Sequence, residues 1–116
     1  MTIRRLNPEQ WTGFCAHLSH ALIGKQVKIE IASLRIGAQL EARRLPLLGM
    51  SYHPHDDVLE LLAGDLDHII CRPREFYVDE APLGIVCLQI VDADGVRQIV
   101  TLSDPLMLPK AADYQS

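Results

Sequence analysis

The sequence predicts an α+β fold: an N-terminal amphipathic helix packed on a small antiparallel β-barrel or a strongly curved sheet of five to six strands, an SH3-like or Sm-like roll. Three observations carry this expectation. Apolar residues recur at helical spacing between Trp11 and Leu22. The period changes to two after Gly24. Turn residues then punctuate the rest of the chain at short intervals, which leaves room for hairpins but not for crossover helices.

The helix is expected over about residues 8–22. Asn7 stands at the N-cap, Pro8 at the first helical position, and Gln10 three residues after the cap. Leu6 and Trp11 occupy the staple positions on either side of the cap. Trp11, Phe14, Cys15, Leu18 and Leu22 form the apolar stripe, and Gly24 is the stop signal. Gly13 costs about 1 kcal/mol relative to Ala within a helix, and a neighbour packed close against it would explain its presence.

The β-region is expected over about 25–102. Val27, Ile29 and Ile31 alternate with Lys28 and Glu30 as in a half-buried strand. Leu34 to Ala38 is a turn, and a second strand starts near Gln39. Pro46 interrupts it, and an extended pattern resumes from Leu47 to Tyr52. His53-Pro54-His55-Asp56-Asp57 is a polar turn, followed by a strand at Val58–Ala63 that Gly64 and Asp65 close. His68 to Val78 is a strand broken at Pro73, and Ala81 to Gly84 a loop. Val86–Val91 and Val96–Leu102 flank Asp92-Ala93-Asp94-Gly95, the clearest hairpin signal in the chain. Residues 103–116, with Pro105 and Pro109, read as a tail that is at most partly ordered. Nothing divides the chain, so 1–116 is expected to be a single domain.

The chain has 116 residues, 48% hydrophobic and 22% charged, an ordinary globular balance. Aromatics are only 5%, so the core must be aliphatic. A net charge of −4 weighs against general nucleic-acid binding, although a local basic patch remains compatible with it. Cys15, Cys71 and Cys87 are odd in number and widely spaced, without a C-x-x-C pair. They read as reduced, buried thiols in a cytoplasmic protein. No signal peptide or membrane-length apolar run is apparent.

The helix with Trp11 and Phe14 is followed by Gly37-Ala38-Gln39-Leu40-Glu41-Ala42-Arg43-Arg44-Leu45-Pro46-Leu47 and by Gly49-Met50-Ser51-Tyr52. Gly64-Asp65, His68, Pro73 and Ala93-Asp94-Gly95 come after them in order. With these motifs the chain resembles a family of small bacterial proteins of unknown function. The resemblance implies a shared fold and transfers no activity.

Two constellations are candidates for binding. His53, His55 and His68, near Asp56 and Asp57, supply imidazoles and carboxylates suited to a metal. The plain alternative is a solvated turn, since Pro, Asp and His are common there and no third ligand stands at a diagnostic spacing. Arg43, Arg44, Arg72 and Arg74 are the dense basic residues of the body, and would form a nucleic-acid-binding strip if their strands pair. Against this stand the acidic neighbours Glu75 and Asp79 and the shortage of stacking aromatics, with Tyr52, Phe76 and Tyr77 the few available. His17 and His20 lie three apart on the helix, too few for a site. The acidic residues at strand ends, Asp65, Asp67, Asp79, Glu80, Asp92 and Asp94, read as turn formers and edge protectors.

No arrangement of nucleophile, base and acid is recognisable. The expectation is therefore a cytoplasmic accessory or interaction module that is not an enzyme and takes no cofactor. Its expected partner is a second copy of itself or another protein, met through exposed strand edges.

Overall fold

The helix forms where its capping signals place it. In the computed structural model, which describes residues 2–33, 37–82 and 84–106, α1 spans Pro8–Leu22. The Asn7 N–H donates to Gln10 Oε1 at 2.9 Å, and the Gln10 N–H donates to the Asn7 carbonyl at 2.8 Å. Leu6 and Trp11 are both buried, and the indole Nε1–H donates to the Leu6 carbonyl at 3.3 Å. Cys15 and Leu18 continue the buried stripe, and Gly24 takes φ +87°, the left-handed conformation that ends the helix. No neighbour approaches Gly13: a Cβ built there meets nothing within 4 Å, so the expected close contact is absent.

Eight strands follow one antiparallel order, β1-β6-β7-β8-β2-β3-β4-β5. They are β1 (Thr2–Arg5), β2 (Gln26–Ser33), β3 (Gly37–His53), β4 (Val58–Ala63), β5 (Leu66–Cys71), β6 (Pro73–Ala81), β7 (Gly84–Asp92) and β8 (Arg97–Leu106). The α+β class and the antiparallel sheet are as expected, and two points are corrected. There are eight strands rather than five to six, and of the two expected forms the closed barrel is ruled out, because the terminal strands β1 and β5 do not pair. The extra strands have clear causes. β1 is a short, fully exposed segment beside β6 with no burial pattern to signal it. The expected strand from His68 to Val78 is two strands, divided at Arg72, whose φ of +52° turns the chain a corner before Pro73. Conversely, β3 runs unbroken through Pro46 for 17 residues, bending at Arg44 (φ +54°) and at the irregularity between Leu47 and Gly49. β8 continues to Leu106, four residues beyond the expected end of the β-region. The expected turn at Leu34–Ala38 is corrected at its end, where Gly37 and Ala38 already pair with β2 as the start of β3. Its residues 34–36 and the tail from 107 onward lie outside the described residues.

The bend lets β3 serve two sheets. Its first part pairs with β2, from Ser33↔Gly37 to Gln26↔Pro46, and its last part pairs with β4, from Leu47↔Ala63 to His53↔Val58. The smaller sheet, β3–β4–β5, folds back over the larger. His68 on β5 and Gln98 on β8 are four strands apart in the order, about 19 Å in a flat sheet. Their side chains are nevertheless hydrogen-bonded at 2.7 Å. Leu59, Leu61, Ala63 and Ile70 of the small sheet join Phe76, Val78, Leu88, Ile90, Val100, Val27 and Ile29 of the large one in a single core. Trp11, Cys15 and Leu18 of α1 complete it. Phe14 meets Phe76 edge-on at 5.6 Å between centroids, and Trp11 meets Tyr52 in the same way at 5.2 Å.

Where β3 leaves β2, its edge would be bare, and α1 covers it. Gly24 N–H donates to the Leu47 carbonyl at 2.9 Å, and Leu47 N–H to the Lys25 carbonyl at 2.8 Å. Ser19 Oγ donates to the Met50 carbonyl at 2.7 Å and accepts from the Met50 N–H at 2.8 Å. One hydroxyl thus takes both bonds that a neighbouring strand would have made.

Two stability measurements follow. Ser19→Ala leaves the donor and acceptor of Met50 without their partner, and is expected to cost about 1–3 kcal/mol in denaturant unfolding. Gly13→Ala, exposed and uncrowded in mid-helix, is expected to stabilise by about 0.5–1 kcal/mol, seen as a melting temperature several degrees higher.

Candidate functional site

The arginines are not gathered on one surface. Arg44 is exposed at the bend of β3 and lines an open cleft of about 460 Å³ with Lys28, Thr101, Leu102 and Ser103. The side chain of Arg43 lies outside the described residues. Arg72 lies at the other end of β8, where its carbonyl accepts from the Ala93 N–H at 2.9 Å in the β7–β8 turn. From Arg97, just after that turn, to Leu102 at the cleft is about 17 Å of extended strand. Arg72 and Arg74 are also paired with acids other than the expected Glu75 and Asp79: Arg72 with Asp94 at 3.5 Å and Arg74 with Asp57 at 3.1 Å. Phe76 is wholly buried, and Tyr52 packs against Trp11, so neither offers a free stacking face.

The three histidines do not converge, because His53 and His68 lie on opposite faces of the small sheet. His53 is exposed on the outer face of the small sheet, 3.1 Å from Ser51 Oγ and 3.7 Å from Glu60 Oε1. His68 points the other way, into the fold, where it holds the buried Gln98. His55 is exposed in the turn after β3. Among the described residues no group of three or more His, Cys, Asp or Glu side chains is placed to hold a metal ion.

The cysteines divide by environment. Cys15 is buried in the core, and burial pushes its thiol up to about 12, far from reactivity. Desolvation also raises the half-buried Cys87 thiol. Cys71 is exposed at the end of β5, contrary to the expectation that all three are buried. Opposite Cys87 in register, Asp79 carries a buried carboxylate oxygen that has no hydrogen-bond partner among the described residues.

A corner that sequence reasoning did not single out ties the two sheets together. Tyr52 Oη–H donates to Asp57 Oδ1 at 2.9 Å, Arg74 donates to Asp57 Oδ2 at 3.1 Å, and the Arg72 N–H donates to the Asp57 carbonyl at 2.8 Å. Asp57 and Arg72 both have positive φ, 52° each, and brace one another. The Arg74 bond, followed by the Tyr52 bond, holds the Asp57 carboxyl below its ordinary value. Signals for this cluster are weak in one dimension, because Tyr52, Asp57 and Arg74 belong to different elements.

The feature with the clearest capacity for contact is β5. The Arg72 N–H bond to Asp57 sets the ladder parity: Leu66, His68 and Ile70 exchange backbone bonds with β4, while Asp67, Ile69 and Cys71 turn theirs outward. These three residues are also exposed, alternating with Leu66, His68 and Ile70 turned inward. Ile69 is 51% exposed, with Leu62 (38%) on the neighbouring strand of the same face. Glu60, opposite Ile69, has its carboxyl raised chiefly by a hydrogen bond with Asp67, with desolvation and the Asp67 charge adding to it. The sequence did carry a signal for this surface: adjacent Ile69 and Ile70 cannot both face inward in one strand.

The corner yields a pH prediction. Asp57 has a depressed carboxyl, so its contribution to stability is present above the ordinary carboxylate value and is lost as pH falls through its lowered value. Asp57→Asn is expected to lower stability at neutral pH and to flatten the loss of stability on acidification, measured by thermal melts from pH 7 downward. The exposure of the pair keeps both effects small.

Among the described residues no helix is long and apolar enough to cross a membrane. The family model DUF5335, a family of unknown function, matches residues 2–111. An uncharacterised protein of Aquifex aeolicus (strain VF5) is 36% identical over 111 residues, which are 95% of this chain and 100% of that one. No solved structure matches. The chain therefore belongs to the DUF5335 family, bacterial proteins whose function is unknown.

Proposed function

We propose that the protein is a non-enzymatic interaction module that works by associating with a second copy of itself through an exposed strand edge. The observation that carries this reading is the open end of the sheet at β5, six residues long with three of them turning N–H and C=O groups outward. An edge that is unpaired among the described residues, with an exposed isoleucine at its middle, is a template for another strand. The opposite terminal strand is a poorer template. β1 has only four residues and bears Arg4 and Arg5, charges of the kind that discourage edge pairing. Arg4 is tied to Glu80 at 3.1 Å, and Arg5 lies over the Tyr77 ring at 5.9 Å. Nucleic-acid binding, the competing reading, draws on arginines that lie at opposite ends of β8, too far apart to make one strip.

Light scattering over a wide concentration range tests the reading. The expected mass rises to twice the 13.0 kDa of the chain as concentration increases. A mass fixed at 13.0 kDa up to the solubility limit disposes of self-association.

A further inference from the structure

We infer that two copies join through β5 alone, antiparallel, with Ile69 facing Ile69 of the second copy across a two-fold axis, so that the small sheets fuse into one. This rests on the self-association reading above and specifies its geometry.

The register follows from the edge. On β5 it is Asp67, Ile69 and Cys71 that point outward backbone groups with no partner among the described residues, so a second strand bonds at these positions. Two-fold symmetry requires the same residues on both sides. Centring on Asp67 would set two like charges face to face, which is unfavourable in a strand pair. Centring on Cys71 would leave Asp67 and Ile69 of both copies without partners. Centring on Ile69 uses all three: Ile69 exchanges bonds with its own counterpart, and Asp67 of each copy exchanges bonds with Cys71 of the other.

Charge fixes the direction. The strand begins at an acidic end, with Asp65 and Asp67 exposed, and is followed directly by the exposed cation Arg72. An antiparallel partner lays each acidic end beside a basic one, whereas a parallel partner would set like against like. Arg72 is available for this role, since its existing pair with Asp94 is a 3.5 Å contact between side chains that are 58% and 74% exposed. Pairing also covers Ile69, the most exposed apolar side chain of the small sheet's last strand.

Two variants of the full chain test the geometry. Asp67→Cys places a thiol directly across from the native Cys71 of the second copy, at a Cα separation of about 5.5 Å that a disulfide spans. Within one copy residues 67 and 71 are about 14 Å apart and cannot bond, and the two native Cys71 thiols of a wild-type pair are as distant. Mild oxidation is therefore expected to give a covalent dimer of Asp67→Cys on a non-reducing gel and none of wild type. Ile69→Pro removes an N–H that the fold itself does not use, so the variant is expected to stay folded by circular dichroism and to become monomeric by light scattering. If wild type is dimeric but Asp67→Cys gives no covalent dimer and a folded Ile69→Pro remains dimeric, the β5 geometry is overturned while self-association stands. If wild type is monomeric at every concentration, the underlying reading fails and this inference with it.

Discussion

Everything in this fold depends on one strand being asked to belong to two sheets. β3 is 17 residues long, and its halves have different neighbours: β2 for the first, β4 for the second. A strand that changes partners half-way leaves part of each edge without a ladder, and buried backbone groups cannot stay unpaired. The bend at Arg44 and the irregularity after Leu47 swing the small sheet over the large one, and α1 takes the place of the missing strand. The helix is therefore a hydrogen-bonding element of the sheet as well as a hydrophobic lid, with Ser19 and the Gly24–Lys25 backbone supplying the bonds.

Folding the sheet over itself puts distant sequence together, and two polar contacts hold the fold-back in place. His68 meets Gln98, a buried polar side chain whose amide would otherwise carry a desolvation penalty. At the other end of the small sheet, Asp57 gathers Tyr52, Arg74 and the backbone of Arg72. These contacts give direction as well as cohesion. An aliphatic core tolerates sliding between layers, whereas a hydrogen bond between particular atoms fixes their alignment.

The legible parts of this protein are those whose causes are local. Asn7, Pro8, Gln10 and Gly24 act within a turn of where they stand, so the helix and its limits were readable. The Asp92–Gly95 hairpin was readable for the same reason: Asp92 Oδ1 accepts from the N–H groups of Asp94 and Val96, and Gly95 takes φ +82°. The strand number departs from the sequence expectation where local signals are ambiguous about tertiary context. Pro46 looks like a break but sits at a bend that the strand survives, while Arg72, an ordinary residue in a strand-like run, turns the chain. β1 is held by β6 and by nothing intrinsic to its own four residues. The histidine and arginine groupings depended on which faces the strands present, and alternation places His53 and His68 on opposite faces of the same sheet. A one-dimensional pattern does not report how a sheet curls, so neither grouping was decidable before the topology was known.

The docking of Ser19 on Met50 has a consequence for how far assembly can run. A three-stranded sheet has two sides from which strands can be added, and here the helix occupies one of them. Growth by strand addition on β3–β4–β5 can therefore proceed only from β5, and a single event consumes that side. If α1 detaches, the second side opens, and the same chemistry that closes a pair would extend a ribbon without limit. In the proposed assembly the small hydroxyl between helix and strand would thus act as a chain terminator in the polymer chemist's sense.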